Sequence, residues 1–438
     1  MQQIIISNLF IIVFLVGTVV SFLINQLLEF LDWRAERKSG GKLPPELADI
    51  PAASCFNTEK LANISAYKSE KYKTFIPSSI TGLAVTLCLV WFGFYPWLYQ
   101  IICGWTGQPD GFANTYWCAF LFFVLAGIPE SIVEIPFSLY SEFHVEKKFG
   151  FSNMTLKLWI LDGIKSFLVS TIMSAILVAA MIGVLCAAPT TWWIFLTAVL
   201  ILLTFVLQVI YPIVIAPLFN KFTPLEDGEL KNRISSLMEK TGFKASGIFV
   251  MDASKRSGHS NAYFGGMGKS KRIVLFDTLI KQLTTDELEA VLGHELGHCK
   301  LHHILRRMFI MIPLEFVVMY VLYFIAQSPD LYSGFGFQIA KESISSAQFI
   351  GLFLASMIAG AVEEILSPIV NFGSRKDEYA ADAYSAKLTE KPDALISGLI
   401  KLNSENLSQL LPPKLYVFWN YSHPTLIERI RSLKGSRK

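Results

Sequence analysis

Five consecutive residues in the second half of the chain are suited to bind a metal ion and to do chemistry with it. His294-Glu295-Leu296-Gly297-His298 has the pattern H-E-x-x-H. On a helix, residues four apart share one face, so both imidazoles can bind a single ion. The glutamate between them is placed to take a proton from an attacking water. The motif predicts a zinc hydrolase built on His294, Glu295 and His298.

A catalytic zinc site has three protein ligands and one open position, so two histidines are not enough. The segment 371–382 supplies acidic candidates for the third ligand. Glu378 and Asp382 are four residues apart and share a helix face, so one can bind the ion while the other holds a ligand imidazole. The spacing alone leaves Asp377, Glu378 and Asp382 as alternatives.

Other histidines could enter the same site. His302 and His303 follow the motif by one turn, but helix geometry directs them away from the ion, so we expect a structural role. His259, beside Asn261, is expected to be a surface residue. His423 lies in a His-Pro pair ahead of an amphipathic helix, which fixes its imidazole. It is suited either to donate a hydrogen bond to an oxyanion or to cap that helix.

The composition is that of a membrane protein. Hydrophobic residues make up 53% of the 438 residues and charged residues only 17%, whereas soluble domains have about 25% charged residues. The six cysteines form no C-x-x-C pair, which argues against a disulfide framework or a thiolate metal site. No basic tract with interleaved aromatic residues is present, so we expect no nucleic-acid partner.

Seven apolar stretches have the length of membrane-spanning helices, which need about 20 residues. They cover residues 4–28, 76–102, 113–139, 158–185, 192–218, 308–326 and 350–369. Lysine and arginine are abundant in the odd-numbered loops and the C-terminal segment but scarce in the even-numbered loops, so the odd loops are predicted to be cytosolic. The H-E-x-x-H motif then faces the cytosol.

Seven charged residues fall inside these stretches, where an unpaired charge is costly. Two interpretations remain open: buried pairs that hold helices together, or a water-filled cavity between the helices. The residues are Glu130, Glu134, Asp162, Lys165, Glu315, Glu363 and Glu364.

The segment 219–307 is predicted to be a small α/β unit resembling a zincin. Residues 248–251 and 273–276 are typical of buried strands, and the segment 259–266 is extended and ends in a glycine turn. Thr284 and Glu287 form a capping-box pattern, which starts the motif helix near Thr285. An edge strand above the ion would let an extended substrate add to the sheet. The predicted divisions are 1–218, 219–307, 308–370 and 371–438.

Four motifs together resemble one family. H-E-L-G-H, S-R-x-x-E-Y-x-A-D, N-A-Y-F-x-G and S-H-P-x-x-x-E-R occur with seven predicted spans, and the segment 143–155 fits the same pattern. In this combination the chain resembles, over essentially its whole length, the integral-membrane zinc CAAX prenyl proteases of type I, the a-factor-converting endopeptidases.

The resemblance implies seven helices enclosing a chamber, one zinc ion per chain and a monomer in the bilayer of the endoplasmic reticulum or inner nuclear membrane. Its substrates would be proteins with a prenylated C-terminal CAAX sequence, which lose their last three residues and in some cases are also cut upstream. It makes His294, His298 and Glu378 the ligands, Glu295 the general base and Asp382 the support of a ligand. Substrate would contact Asn261, Ala262, Tyr263, His423 and Arg429.

Two other functions are considered. One is a membrane zinc protease that degrades misfolded membrane proteins without a prenyl requirement, for which four short spans would be typical. The other is a non-enzymatic channel, transporter or scaffold with a vestigial metal site. The intact Glu295 and a plausible third ligand argue against loss of catalysis.

Overall fold

The computed structural model describes residues 8–267 and 270–435, so the start of the first predicted span, residues 4–7, lies outside the described residues. The N-terminal half is helical. Its helices are α1 (Leu9–Ser39), α2 (Pro45–Ala48), α3 (Thr58–Trp91), α4 (Phe94–Thr106), α5 (Gly111–Ala126), α6 (Ile128–Tyr140), α7 (Leu156–Ala187), α8 (Trp192–Ile210) and α9 (Ala216–Phe219). Short π-helical turns, Ser141–Glu146 and Tyr211–Ile215, follow α6 and α8.

The C-terminal half contains the sheet and the remaining helices. They are β1 (Phe222–Pro224), α10 (Glu229–Thr241), β2 (Ile248–Met251), β3 (Ala262–Gly265), β4 (Arg272–Phe276), α11 (Asp277–Gln282), α12 (Thr285–Lys300), α13 (His303–Ala326), α14 (Pro329–Gly334), α15 (Gln348–Thr389), α16 (Pro392–Glu405), α17 (Lys414–Asn420) and α18 (Leu426–Gly435).

Within the described residues, seven helical segments are long and apolar enough to cross a membrane. They are α1, α3, α5 with α6, α7, α8 with α9, α13, and α15 with the turn before it. Each packs against the next in the chain, and α15 returns to pack against α1, so the spans close into a ring. In three spans only 6% of the most apolar 18-residue stretch is buried in the protein, as expected for helices that make few contacts on either face. The predicted fold of seven helices enclosing a chamber is confirmed.

The charged residues inside the spans divide between the two interpretations. Asp162 accepts hydrogen bonds from Arg256 of the soluble unit at 2.8 and 3.1 Å, so it ties that unit to α7. Glu130 accepts one from Thr86 at 2.9 Å. Glu134 instead lines a cavity of about 640 Å³ between α3, α6 and α7, and Glu363 is exposed. Both interpretations therefore apply, to different residues.

The second span differs from its prediction. The apolar stretch 76–102 is interrupted at Gly93, which has φ +66°, and α4 is a separate helix. The spanning helix starts instead at Thr58, because its polar N-terminal half continues the apolar half without a break. The prediction was wrong at its C-terminal end because hydropathy does not register a turn between two apolar helices, and at its N-terminal end because the first half of α3 is polar.

The seventh span extends far beyond its apolar part. The sequence predicts residues 350–369, but α15 runs unbroken for 42 residues to Thr389. The predicted division at 370 falls inside this helix. One continuous helix therefore connects the seventh span to the segment that carries Glu378 and Asp382.

The soluble unit contains a four-stranded sheet in the order β1-β2-β4-β3. Its two central strands, β2 and β4, are parallel, and β3 pairs antiparallel with β4 at one edge. The predicted strands at 248–251 and 273–276 are confirmed, as is the edge position of the segment after Asn261. Thr284 and Glu287 form the predicted capping box at the start of α12.

Candidate metal centre and catalytic site

Two helices, α12 and α15, pack unusually closely at the candidate site. Gly293 and Gly297 of α12 face α15, where side chains larger than hydrogen would not fit. A Cβ atom on Gly297 would lie 3.1 Å from the Cα and carbonyl oxygen of Ala381, and one on Gly293 would lie 2.8 Å from Ser385 Oγ. Ser385 donates a hydrogen bond to the Ala290 carbonyl at 2.5 Å. The glycine of the H-E-L-G-H motif therefore has a packing role, which is to bring the histidine helix onto the acidic helix.

This close packing brings three potential ligands together. His294 Nε2 and His298 Nε2 lie 3.2 Å apart. One oxygen of Glu378 lies 3.3 Å from His294 Nε2, and the other lies 3.2 Å from His298 Nε2. Within the described chain these three residues are the one group with the geometry of a metal site. Of the three acidic alternatives that the sequence left open, Glu378 is the one that faces both imidazoles.

His294 is held from behind by a buried acid. Its Nδ1 lies 2.8 Å from Asp382 Oδ1, so Nδ1–H donates to the carboxylate and Nε2 faces Glu378 and His298. Burial alone would lower the pKa of His294, but the hydrogen bonds to Asp382 and Glu378 outweigh it and raise the pKa to about 9.

Arg429 holds Asp382 in turn. Its Nε and Nη2 donate to the two oxygens of Asp382 at 2.8 and 2.6 Å, a bidentate geometry. Arg429 also has only 12% of its side chain exposed. Two of its three nitrogens are therefore committed to Asp382, behind His294.

His298 is held by a second chain of contacts that sequence analysis did not find. Its Nδ1 lies 3.0 Å from His303 Nδ1, and His303 Nε2 lies 3.7 Å from Asp377 Oδ1. Asp377 also pairs with Arg306 and Arg307. His303 has the structural role that the sequence predicted and is not a ligand, but its contact with His298 was not expected: α12 ends at Lys300 and His302 adopts φ +55°, which turns the next helix back toward His298. No sequence signal marks a histidine for that conformation.

The three residues fit a zinc ion. With each Nδ1 hydrogen donated to Asp382 or to His303, a cation between the two Nε2 atoms and Glu378 would replace the proton that His294 otherwise holds, and both Nε2 lone pairs would then bind it. Glu378 Oε2 is buried and accepts no hydrogen bond from the residues that the structure describes. Ligands about 2.0–2.1 Å from a tetrahedral zinc are about 3.3–3.4 Å apart, close to the observed separations. Two nitrogens and a carboxylate with one open side are also the donor set of known catalytic zinc sites.

Glu295 lies on α12 between the two histidines and is half-buried. In the described part of the chain its carboxylate forms no hydrogen bond or ion pair. Burial raises the pKa of Glu295. A carboxylate with a raised pKa and free oxygens is a better proton acceptor at neutral pH than an ordinary surface glutamate.

His423 lies on the open side of the group. Its Nε2 is 3.5 Å from Glu378 Oε1, its Nδ1 is 2.9 Å from Ser422 Oγ, and 62% of its side chain is exposed. Partial desolvation of the ring by the surrounding protein lowers the pKa of His423, so it is neutral at physiological pH. A neutral imidazole at the solvent-facing side can donate a hydrogen bond toward a bound carbonyl.

The predicted substrate-binding residues lie at the free edge of the sheet. Asn261 precedes β3 and is exposed, Ala262 is buried and Tyr263 is half-buried. Asn261 Oδ1 accepts a hydrogen bond from the Ala262 amide at 2.8 Å. Because β3 pairs only with β4 in the sheet order, its outer edge is available to another strand.

His259 is better anchored than a surface histidine. Its ring stacks on Phe151 with centroids 4.0 Å apart. Its two nitrogens lie 3.1 Å from Asn406 Oδ1 and 3.3 Å from Glu146 Oε2. The loop before β3 is thereby joined to the end of the third span and to the C-terminal segment.

Comparisons with known proteins agree with this arrangement. Residues 224–437 match peptidase family M48, and residues 34–221 match the family described as CAAX prenyl protease N-terminal, five membrane helices. CAAX prenyl protease 1 of Saccharomyces cerevisiae is 35% identical, covering 92% of this chain and 91% of that protein. The homologue of Arabidopsis thaliana is 37% identical, covering 87% of this chain and 88% of that protein. The homologue of Homo sapiens is 31% identical, covering 93% of this chain and 92% of that protein.

A solved structure has the same fold. The crystal structure of S. mikatae Ste24p superimposes with a TM-score of 0.87 at 34% identity, covering 98% of this chain and 99% of that one. The agreement extends over both the helical ring and the unit that carries the H-E-x-x-H helix. The chain belongs to the CAAX prenyl protease 1 family of M48 peptidases and is a multi-pass membrane metalloendopeptidase.

Proposed function

We propose that the protein is a zinc-dependent endopeptidase that removes the C-terminal tripeptide from prenylated CAAX proteins, with a second, upstream cut in some substrates. The observation that carries this proposal is the convergence of His294, His298 and Glu378 beside an unpaired Glu295. The relatives that match over nearly the whole chain are named CAAX prenyl protease 1.

We assign the ligand role to His294, His298 and Glu378, and the zinc would lie between their facing atoms. Bound zinc lowers the pKa of water and polarises a carbonyl oxygen. Glu295 takes the proton from the attacking water and then passes it to the leaving amine. The Nε2–H of His423 faces the carbonyl oxygen and stabilises the charge that develops there.

The remaining site residues act through these groups. Asp382 keeps His294 in the tautomer with a free Nε2, and Arg429 keeps Asp382 charged and oriented. In this proposal Arg429 supports His294, and only its remaining nitrogen, Nη1, is free to approach substrate. The edge of β3, with Asn261, Ala262 and Tyr263, binds the substrate backbone as an added strand.

The position of the site relative to the bilayer supports a lipidated substrate. Glu378 lies nine residues beyond the apolar stretch that ends at 369, and α15 is continuous between them. At helical rise this is about 13 Å. A prenyl chain attached to a cysteine beside the scissile bond can therefore remain within the helical ring while the peptide reaches the ligands.

The orientation and residence of the enzyme are also proposals. The charge asymmetry of the loops places the metal centre on the cytosolic side. Prenylated substrates are made in the cytosol, which agrees with this orientation. Residence in the endoplasmic reticulum or inner nuclear membrane, and action as a monomer, rest on the family resemblance.

A cleavage assay on two peptides tests the proposed function. Both have the same sequence ending in CAAX, and one carries a farnesyl group on the cysteine. The purified chain should release the tripeptide from the farnesylated peptide alone, and a zinc chelator should abolish release until zinc is returned. Equal cleavage of both peptides would favour a membrane protease without a prenyl requirement. Cleavage of neither would contradict the proposal.

A further inference from the structure

A groove lies where the seventh span continues beyond its apolar part. It is lined by the C-terminal part of α15, the loop before α17, α17 and α18, with Glu46 of α2, and it has a volume of about 660 Å³. We call it the α15–α17 groove. Its exposed apolar side chains are Phe372 at 67%, Phe418 at 46% and Leu411 at 40%. Its exposed cations are Lys376, Lys414 and Arg431.

The apolar wall of the groove continues the surface of the membrane helix. Ile369 and Val370, which directly precede the groove on α15, are also largely exposed. Lys376 lies seven residues past Ile369, a rise of about 10 Å, and the headgroup layer is about 5–8 Å thick. Helical side chains point back toward the N-terminus, so the Lys376 ammonium returns to the level of the headgroups.

The two lysines have no partner of their own. Neither Lys376 nor Lys414 forms an ion pair in residues 8–267 and 270–435, whereas the other charges around the groove are satisfied. Arg431 pairs with Glu46 at 2.6 Å. Glu428 accepts a hydrogen bond from the Thr425 amide at 2.9 Å.

Another cation, Arg375, is already used inside the protein. Arg375 donates to the carbonyls of Val417 and Tyr421 at 3.2 and 2.6 Å and so fixes the end of α17. Arg375 is therefore held by the protein, whereas Lys376 and Lys414 are free to contact a ligand.

We propose that the α15–α17 groove binds an anionic phospholipid of the surrounding bilayer. Its phosphate contacts Lys376 and Lys414, and the upper part of its acyl chains packs on Phe372 and Phe418. The pairing of unpaired cations with a continuous apolar wall matches a lipid, which carries both chemistries in one molecule. An acidic peptide would satisfy the lysines but would leave the apolar wall in contact with the bilayer.

The groove is connected to the catalytic loop. The chain passes from α17 through Tyr421 and Ser422 directly to His423, and Asn371 at the base of the groove donates to the Trp419 carbonyl at 2.6 Å. A lipid that clamps α17 onto α15 would reduce the motion of the segment that ends in His423. The effect on His423 rests on the proposed function, whereas the binding of a lipid does not.

The test uses the full chain in phosphatidylcholine nanodiscs with a minor fraction of fluorescent phosphatidylserine. Binding is measured by energy transfer from the protein's tryptophans to the labelled lipid. Each lysine near an anionic surface contributes roughly a fivefold gain in binding, so Lys376→Ala with Lys414→Ala should weaken binding roughly 25-fold. The matched control is Lys240→Ala with Lys244→Ala, two exposed lysines on and after α10 in the soluble unit. It should bind like the unaltered chain.

The proposal would be overturned if both double variants lost lipid binding equally, because binding would then depend on the overall charge of the protein. It would also be overturned if neither variant lost lipid binding, because the groove would then not be the binding site. Binding of a soluble acidic peptide in place of the lipid would also overturn it. Tripeptide release is measured in parallel. If the lysine variants lose lipid and the unaltered chain releases no tripeptide, the lipid site stands and the proposed function fails.

Discussion

The packing of Gly297 against Ala381 leads to a quantitative prediction about zinc affinity. In Gly297→Ala the added methyl would start 3.1 Å from the Cα and carbonyl oxygen of Ala381. Ordinary contacts of a carbon atom begin at about 3.5 Å, so α12 and α15 must separate by a few tenths of an ångström, about 0.4 Å. Metal-ligand distances tolerate only about 0.2 Å, and Glu378 lies on one helix while both histidines lie on the other. The separation therefore opens the ligand group.

Two effects on stability oppose each other in this variant. Overpacking costs about 1–3 kcal/mol. Replacing glycine by alanine inside a helix returns about 1 kcal/mol. The free energy of unfolding should therefore fall by at most about 2 kcal/mol, and the protein should still fold. Zinc affinity should fall about 10- to 100-fold, the range seen when groups that orient metal ligands are disturbed.

The assay is competition for zinc between the purified protein and a chelator of known affinity, with the thermal midpoint measured in the same detergent. Gly373→Ala is the matched control, because it lies on α15 and a Cβ there has no atom within 4 Å. It should keep its zinc affinity and melt at the same or a higher temperature. If Gly297→Ala bound zinc as tightly as the control, the close packing of α12 on α15 would not be what sets the ligand geometry.

Five further substitutions test other parts of the site and of the helix that carries it. Glu295→Gln should retain zinc, measured by elemental analysis, and lose about 10²–10⁴ in turnover; normal turnover would remove its general-base role. Arg429→Ala should lower the free energy of unfolding by about 3–5 kcal/mol, because Asp382 would remain buried without its partner. In a double-mutant cycle Asp382→Asn should remove most of this destabilisation. Additive effects of the two substitutions would exclude an interaction between Arg429 and Asp382. His303→Ala should weaken zinc binding about tenfold with less effect on unfolding, and an unchanged affinity would show that His298 needs no support. Burial would raise the pKa of Glu287, but the ion pair and hydrogen bonds with α16 and the capping contact outweigh burial and lower this pKa. The stabilisation that Glu287 contributes is therefore present at neutral pH and is lost as the pH falls through the lowered pKa. Glu287→Gln should therefore melt below the unaltered chain at pH 7 and show a smaller difference in acid, and a difference independent of pH would refute this.

Local signals in the sequence predicted the elements that carry the chemistry. The H-E-x-x-H spacing, the Thr284–Glu287 capping box and the apolar runs of β2 and β4 each depend on neighbours within a few residues. Such patterns can be read without knowing the rest of the fold. The family motifs added the third ligand.

The relations between distant elements could not be derived from spacing. Whether Asp377, Glu378 or Asp382 faces the histidines depends on how α15 rotates where it crosses α12, and both glycine packing and the length of α15 set that rotation. The contact between His298 and His303 depends on the left-handed backbone of His302, which only the tertiary structure imposes.

The break at Gly93 was missed for a different reason. The residues on both sides of it are apolar, so the composition gives no boundary between α3 and α4, and a glycine within an apolar run is common in membrane helices. The ring closure between α1 and α15 joins the two ends of the chain and is likewise invisible to local patterns.

X-ray absorption at the zinc edge of the purified enzyme tests the assignment of the metal centre most directly. We expect one zinc per chain with nitrogen and oxygen neighbours at about 2.0–2.2 Å and no sulfur, and we expect His294→Ala to lose the zinc. A sulfur neighbour at about 2.3 Å, as Cys299 beside His298 would give, or a full zinc content in His294→Ala, would contradict it.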